Sequence, residues 1–239
     1  MQYQGGKSRL AKHFAPVIEK ALAKTNGFLY EPFTGGFNIQ PALKPDAVKR
    51  AINGDAHLGL WSLYDALQND FWNPPSMLTL AEWQMLKEKR DWSNPLTAFA
   101  AFGCSFRAYE FGAYAHNGDP ENSPYARRAH DGLLRKAKSM GPVEFRWQDF
   151  ECDLKGRATI YADPPYANTT GYGTGGFDHQ RFYRWCGRMA DAGHIVLVSE
   201  FTPPTGVDCQ IVWEMPRKVA GRIDETPMME QMYWVKRTL

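Results

Sequence analysis

The chain has 239 residues, 44% of them hydrophobic, enough to bury one good core with a smaller second lobe beside it. A net charge of +2 permits a nucleic-acid partner without demanding one. No apolar run reaches the roughly 18 residues of a membrane span. The N-terminal stretch MQYQGGKSRLAKHF lacks the apolar core of a secretion signal, so the expectation is a cytoplasmic protein. Cys104, Cys152, Cys186 and Cys209 are too far apart in sequence for a CxxC metal or redox pair, and read as free thiols.

Leu10, Phe14, Val17, Ile18, Ala21 and Leu22 recur at helical spacing and predict a helix over 9–24. FLYEPF (28–33) reads as a short strand that breaks at Pro32 and passes through a glycine turn, Gly35-Gly36, into a helix. RAINGD (50–55) reads as a second strand ending at an acid, with a helix over 57–67 after it. Strand, turn, helix, strand, helix points to a parallel sheet with crossovers. From 71 to 145 strand alternation is absent. LAEWQMLKEKRDW, PLTAFAAFGCSF and RRAHDGLLRKAKSM read as helices, and FGAYAHNGDPENSPYARR as a long loop. Sheet character returns in ATIYA (158–162) and HIVLVSEF (194–201), with an amphipathic helix over 180–192 between them. CQIVWEM (209–215) and QMYWVKR (231–237) would close as a hairpin around a polar, mobile loop.

The expected architecture is α/β: a doubly wound, mostly parallel sheet formed by 1–70 and 146–239, with a smaller, mostly helical insertion at 71–145.

The stretch YADPPY carries the chemistry. The residue before a proline is pushed out of helical geometry, so Asp163 stays extended at its strand end. Pro164 and Pro165 have no N–H and leave the ladder. The Pro164 carbonyl and the Asp163 carboxylate then form two acceptors at fixed separation, matched to the two N–H donors of an exocyclic amine. Tyr166 offers a face for a base, and such stacking is worth about 1–3 kcal/mol. An ordinary turn followed by a surface aromatic would read the same way. Its position at the carboxyl end of a buried strand is where open α/β sheets bind ligands.

Asp55 follows Gly35 by 20 residues, a spacing at which an acid accepts hydrogen bonds from a ribose diol. It reads equally well as a helix cap. GGKS fails as a phosphate-binding loop, because the first glycine and the preceding strand are missing. Lys7 reads instead as a partner for a carboxylate near the turn, or as part of a solvated helix face.

In this order, YQGGKSRL, YEPFTGGFNI, INGDAH and YADPPY resemble the Dam-like DNA adenine methyltransferases over roughly 1–65 and 145–201. That family moves a methyl group from S-adenosylmethionine to N6 of adenine. The resemblance implies a Rossmann-like methyltransferase fold and a role for each matching position. Tyr3 and Lys7 would lie at the cofactor, Lys7 on its methionine carboxylate. Glu31, Pro32, Phe33 and Gly35 would surround the methionine part, Asp55 the ribose, and Asp149 with Phe150 the adenine. Asp163, Pro164, Pro165 and Tyr166 would form the catalytic motif, Asp163 also touching the cofactor. Phe37 stands where the family often has a second glycine, and Glu200 where it often has asparagine.

Between Tyr125 and Arg146 there are six Arg or Lys and two Asp or Glu. Arg127, Arg128, Arg135, Lys136 and Lys138 are candidates for phosphate contacts on double-stranded DNA, or form a solvated basic face. Arg107, Tyr109, Tyr114, His116 and Asn117 lie in a polar-aromatic loop suited to base edges. NTTGYGTGG (168–176) is expected to be mobile. No metal is called for, and a monomer or weak dimer is expected. Two rivals remain: transfer to cytosine N4, whose enzymes more often carry Ser before Pro-Pro, and a DNA-binding relative without catalysis.

Overall fold

A computed structural model describes all residues except 1, 2, 4, 70, 71, 120–122, 142, 167–175, 218–227, 238 and 239. The mobility expected of 168–176 and of the last hairpin's loop therefore falls on residues largely outside the description.

Strands β1 (Phe28–Glu31), β2 (Arg50–Asp55), β3 (Val143–Trp147), β4 (Thr159–Ala162), β5 (Ile195–Glu200), β6 (Cys209–Arg217) and β7 (Met228–Val235) form one sheet. Their order is β3-β2-β1-β4-β5-β7-β6. Pairing is parallel from β3 across to β5, and β7 is antiparallel to both β5 and β6. The chain is thus α/β with a mostly parallel mixed sheet.

Helices cover both faces of this sheet. On one, Leu29, Tyr161 and Leu197 pack with Phe14 and Ile18 of α1 (Ala11–Leu22). On the other, Tyr30, Ile160 and Val198 pack with Phe182, Trp185 and Cys186 of α6 (His179–Asp191). Alternate side chains of a strand point to opposite faces. Strands covered on both sides must therefore be apolar throughout, and β1, β4 and β5 are buried along their whole length.

A third cluster unites Leu60, Leu63 and Tyr64 of α2 (Leu58–Asn69) with the intervening helical segment. That segment contains α3 (Leu80–Lys89), α4 (Pro95–Ala98), a π-helical turn at Phe99–Gly103 and α5 (Pro124–Ala137). Trp83, Leu86, Phe99, Phe102 and Leu133 pack into one body with Phe37, Tyr64 and Phe145. The helical segment therefore shares a core with the sheet domain.

Three expectations are corrected. No helix follows Gly36. Only a 3₁₀ turn forms, at Gln40–Ala42, because Pro41 and Pro45 leave no room for a helix between them. A strand absent from the sequence reading, β3, pairs with β2 and returns the chain to the sheet at Val143, ahead of residue 146. As an edge strand it buries only Phe145 fully, so VEFRW carries no apolar run. Finally, α5 begins inside the stretch read as loop. Ser123 accepts a hydrogen bond from the Tyr125 N–H and Pro124 occupies the first turn, a standard helix start.

Candidate functional site

The winding of the sheet reverses between β1 and β4, which lie side by side with β2 and β3 on one flank and β5 on the other. Ligands of doubly wound sheets bind outside the carboxyl ends of the strands at such a switch point. Glu31 is the last residue of β1, Asp55 ends β2, and Asp163 immediately follows β4.

Lys7 lies over this edge. Its backbone carbonyl accepts from the Ala11 N–H at 2.7 Å, at the start of α1. Its Nζ lies 2.6 and 2.9 Å from the Asp163 carboxylate oxygens. The ammonium is 5% exposed and the carboxylate 18%. The same Nζ is 3.8 Å from Glu230 Oε1 and 4.5 Å above the Tyr166 ring centroid. The Tyr166 hydroxyl donates to Glu230 Oε1. Two carboxyl groups and a phenol thus surround one ammonium. Burial raises the Asp163 carboxyl, Lys7 offsets part of that rise, and the negative field of Glu230 adds to it.

The reading of Lys7 as the partner of a carboxylate near the turn matches this geometry. Glu230 was missed. Read from sequence, the last strand began at 231; in the structure β7 begins at Met228 and carries Glu230, fully buried, into the site. A lone acid between Met229 and Gln231 gives no local sign of this.

The Asp-Pro-Pro-Tyr turn is pinned around its edge. Pro164 is buried, and among the described residues nothing donates to its carbonyl. The Pro165 carbonyl lies 2.8 Å from His179 Nε2. The Tyr166 ring packs edge-on against Phe201 at 4.7 Å.

Glu31 is buried, with Asn53 Nδ2 3.3 Å from its Oε1. Among the described residues no cation reaches ion-pairing distance, and burial pushes its carboxyl up to about 8, with the negative field of Asp163 adding to the rise. Pro32 is buried beside it. Asp55 accepts from the Gly35 N–H at 2.8 Å and the His57 N–H at 2.9 Å. It therefore closes a turn ahead of α2 but does not cap the helix, since the Gly59 N–H donates to His57 Nδ1 instead, and it also fixes the glycine turn. Burial raises its carboxyl. A carboxylate has about four acceptor sites, so these two bonds leave room for a ligand hydroxyl.

Gly35 has φ +46°, and a Cβ there would come within 2.9 Å of the Tyr3 ring. Tyr3 in turn packs on Phe102 at 5.2 Å, clamping the turn against the helical segment.

Phe33 and Phe150 sit 5.9 Å apart, and Phe177 packs against both. Asp149 beside them is exposed, its oxygens 2.9 and 3.0 Å from the Arg181 guanidinium. Arg181 also lies 4.6 Å over the Phe150 ring. The Asp149 carboxylate is thus occupied by a surface ion pair, a partner the sequence did not indicate.

Of the residues read as nucleic-acid contacts, Arg107, Tyr109, Asn117, Arg127, Arg128, Arg135 and Lys138 are exposed. Two are not exposed. Tyr114 is buried, its hydroxyl donating to the Leu78 carbonyl at 2.5 Å, so it is a packing residue. Lys136 turns inward, donating to the Gly36 carbonyl and to Asn38 Oδ1. Phe106, which the sequence reading passed over, is half exposed beside Arg107. The loop holding both is closed by a bridge between Ser105 and Tyr114 and carries positive φ at Arg107, Ala108 and Phe111. Such strain persists only where the surroundings impose it and clusters at binding sites.

No described helix is long and apolar enough to cross a membrane. No protein-family model matches the chain, and no curated protein does. One solved structure, described as a conserved hypothetical protein of Streptococcus pyogenes, aligns over 88% of this chain and 86% of its own. Its identity is 11% and its TM-score 0.38, too slight a likeness to bear on function.

Proposed function

We propose that this chain is a DNA adenine-N6 methyltransferase that uses S-adenosylmethionine. One observation carries the reading. Asp163 and the Pro164 carbonyl, an acidic acceptor and a backbone acceptor without a described donor, lie on a stiff turn at the β1/β4 switch point, with the Tyr166 ring beside them.

The residues at the edge suit the cofactor. Glu31 is a buried acid with no cation at ion-pairing distance among the described residues, and an amino acid's ammonium group would supply one. Asp55 retains acceptor sites for a ribose diol. Phe33 and Phe150 offer apolar faces for an adenine, although Asp149 must first leave Arg181 to reach it. Bound there, S-adenosylmethionine supplies an electrophilic methyl group.

Adenine N6 is a weak nucleophile because its lone pair is delocalised into the ring, and inside a duplex it is out of reach, so the base must be flipped out. Asp163 and the Pro164 carbonyl accept its two N–H bonds, which turns the lone pair toward the methyl. As the N6–methyl bond forms, the methyl–sulfur bond would break to leave a neutral thioether; the positive charge that grows on N6 is stabilised by the carboxylate until one N6 proton is lost through it to solvent, and preorganised charge of this kind is often the largest catalytic contribution. Lys7 holds both Asp163 oxygens in the structure, so the incoming amine takes its place while Lys7 turns to the cofactor's carboxylate. Tyr166, held by Glu230, keeps a flat face for the base. The strained loop at 105–114 and the exposed basic residues of α5 are the surface offered to the duplex.

Single-molecule sequencing of DNA from cells expressing the protein tests this, reporting both the modified base and its context. N6-methyladenine is expected with the wild type and none with Asp163→Ala, whose fold should be intact. Transfer at the wild-type rate by Asp163→Ala would defeat the mechanism, and modified cytosine would move the reading to N4.

A further inference from the structure

The last turn of α5 folds back onto the glycine turn. Lys136 Nζ donates to the Gly36 carbonyl and, at 2.9 Å, to Asn38 Oδ1. Both acceptors are neutral, and an ammonium has a third N–H to give. Among the described residues neither Lys136 nor Arg135 has an acidic partner. Burial, reinforced by the neighbouring Arg135, pushes the Lys136 amine down to about 8. Cations in the last turn of a helix are ordinary, because they complement its dipole. That explains Arg135 and Lys138, which are exposed, but not a lysine folded back against a glycine turn.

A cavity of about 300 Å³ opens here, lined by Ser8, Asn38, Arg135, Lys136 and Ser139 among others. Among the described residues its lining contains no carboxylate. Two cations, two hydroxyls and an amide form a donor set suited to an oxyanion with several acceptor oxygens. The cavity borders the candidate site: Ser8 adjoins Lys7, which holds Asp163, and Lys136 bonds to Gly36, next to the glycine that Asp55 fixes.

We propose that this pocket receives a backbone phosphodiester of the substrate DNA, and that Lys136 couples its occupation to the Gly35-Gly36 turn. This deepens the methyltransferase reading and rests on it. A phosphate taking the third N–H of Lys136 fixes the lysine while it still holds the Gly36 carbonyl. Occupation of the pocket and the geometry of the turn then share one lysine, so DNA is expected to tighten cofactor binding. By linkage the cofactor tightens DNA binding by the same factor.

The test uses the full chain, a short duplex and S-adenosylmethionine. Duplex affinity is measured over a salt series for the wild type, Arg135→Ala and Lys136→Met. Cofactor affinity is measured by calorimetry with and without duplex. Each variant should weaken duplex binding evenly across sequences and lower the salt slope by about one, as the loss of a phosphate contact does. Lys136→Met should also lose the mutual tightening, which Arg135→Ala keeps. A wild-type slope in both variants overturns the proposal. So does inorganic phosphate that raises the wild-type melting temperature, but not that of the variants, without competing against duplex, because the pocket would then serve a free anion. A wild-type protein that binds neither duplex nor cofactor brings down the methyltransferase reading and this proposal together. One that binds both, with variants indistinguishable from it, brings down only the proposal. Should Lys136→Met fail to fold, the slope of Arg135→Ala decides.

Discussion

At Lys7 a single ammonium serves two carboxyl groups, and the consequences are measurable. Removing one partner of a buried ion pair strands the other, typically at a cost of about 3–5 kcal/mol. Lys7→Met is therefore expected to lower unfolding free energy by about 3 kcal/mol in urea titrations. The double variant Lys7→Met/Asp163→Asn should lose less than the sum of the two single changes, because paired residues couple. Additive losses would mean that the 2.6 Å contact contributes nothing. Glu31 gives a pH signature. Its carboxyl rises from an ordinary 4.5 to about 8 on burial. Between those values the folded chain keeps a proton that the unfolded chain has released, so stability falls as pH rises through this window and levels off above it. Glu31→Gln keeps the acceptor for Asn53 but removes the charge. Above pH 8 it should be more stable than the wild type by at least about 1 kcal/mol, since each tenfold change in proton affinity corresponds to about 1.4 kcal/mol. Denaturation curves with the same pH slope in both proteins would contradict this. Glu31, Asp55 and Asp163 were all legible as strand-end acids. Glu230 was not, because an acid inside a strand reveals its role only through what the strand lies beside.

Elements were legible where their physics is local. Helices α1, α2, α3 and α6 and strands β1, β2, β4 and β5 follow from apolar spacing, and each starts and stops within a few residues of where that spacing puts it. The failures are elements whose identity comes from a neighbour. Strand β3 exists because β2 offers it a parallel edge, and the segment after Gly36 stays non-helical because its prolines intervene. The glycine turn is the element that connects these parts. Asp55 holds its N–H, the Tyr64 hydroxyl donates to the Gly35 carbonyl at 2.9 Å, and Tyr3 covers it. A side chain at φ +46° is strained and would press on the Tyr3 ring. Gly35→Ala should accordingly cost about 1–2 kcal/mol and weaken binding of the proposed cofactor as well. Wild-type stability and affinity in this variant would show that the turn is plastic.

For the whole molecule, the decisive feature is that distant segments meet along one sheet edge. Glu31, Asp55 and Asp163 converge because the parallel strands deliver their last residues to the same side, while Glu230 reaches that side near the start of antiparallel β7 and Lys7 from the chain ahead of α1. If that edge binds S-adenosylmethionine, the ligand must stabilise the fold by mass action. At about one hundred times its dissociation constant the gain is about 2.7 kcal/mol, or roughly 5–10 °C in melting temperature for a chain of this size. An unchanged melting curve would remove the cofactor from the proposal. The sequence by itself determined the parts: apolar strands that must be covered on both faces, amphipathic helices to cover them, and a proline-stiffened acid at a strand end. These follow from periodicity and steric constraint, which act over a few residues. Only the tertiary structure decided the partnerships, namely Lys7 with Asp163 and Glu230, Asp149 with Arg181, Lys136 with the glycine turn, and a helical segment that shares its core with the sheet. Burial and charge pairing depend on what lies across a gap in space, and spacing along the chain does not encode it.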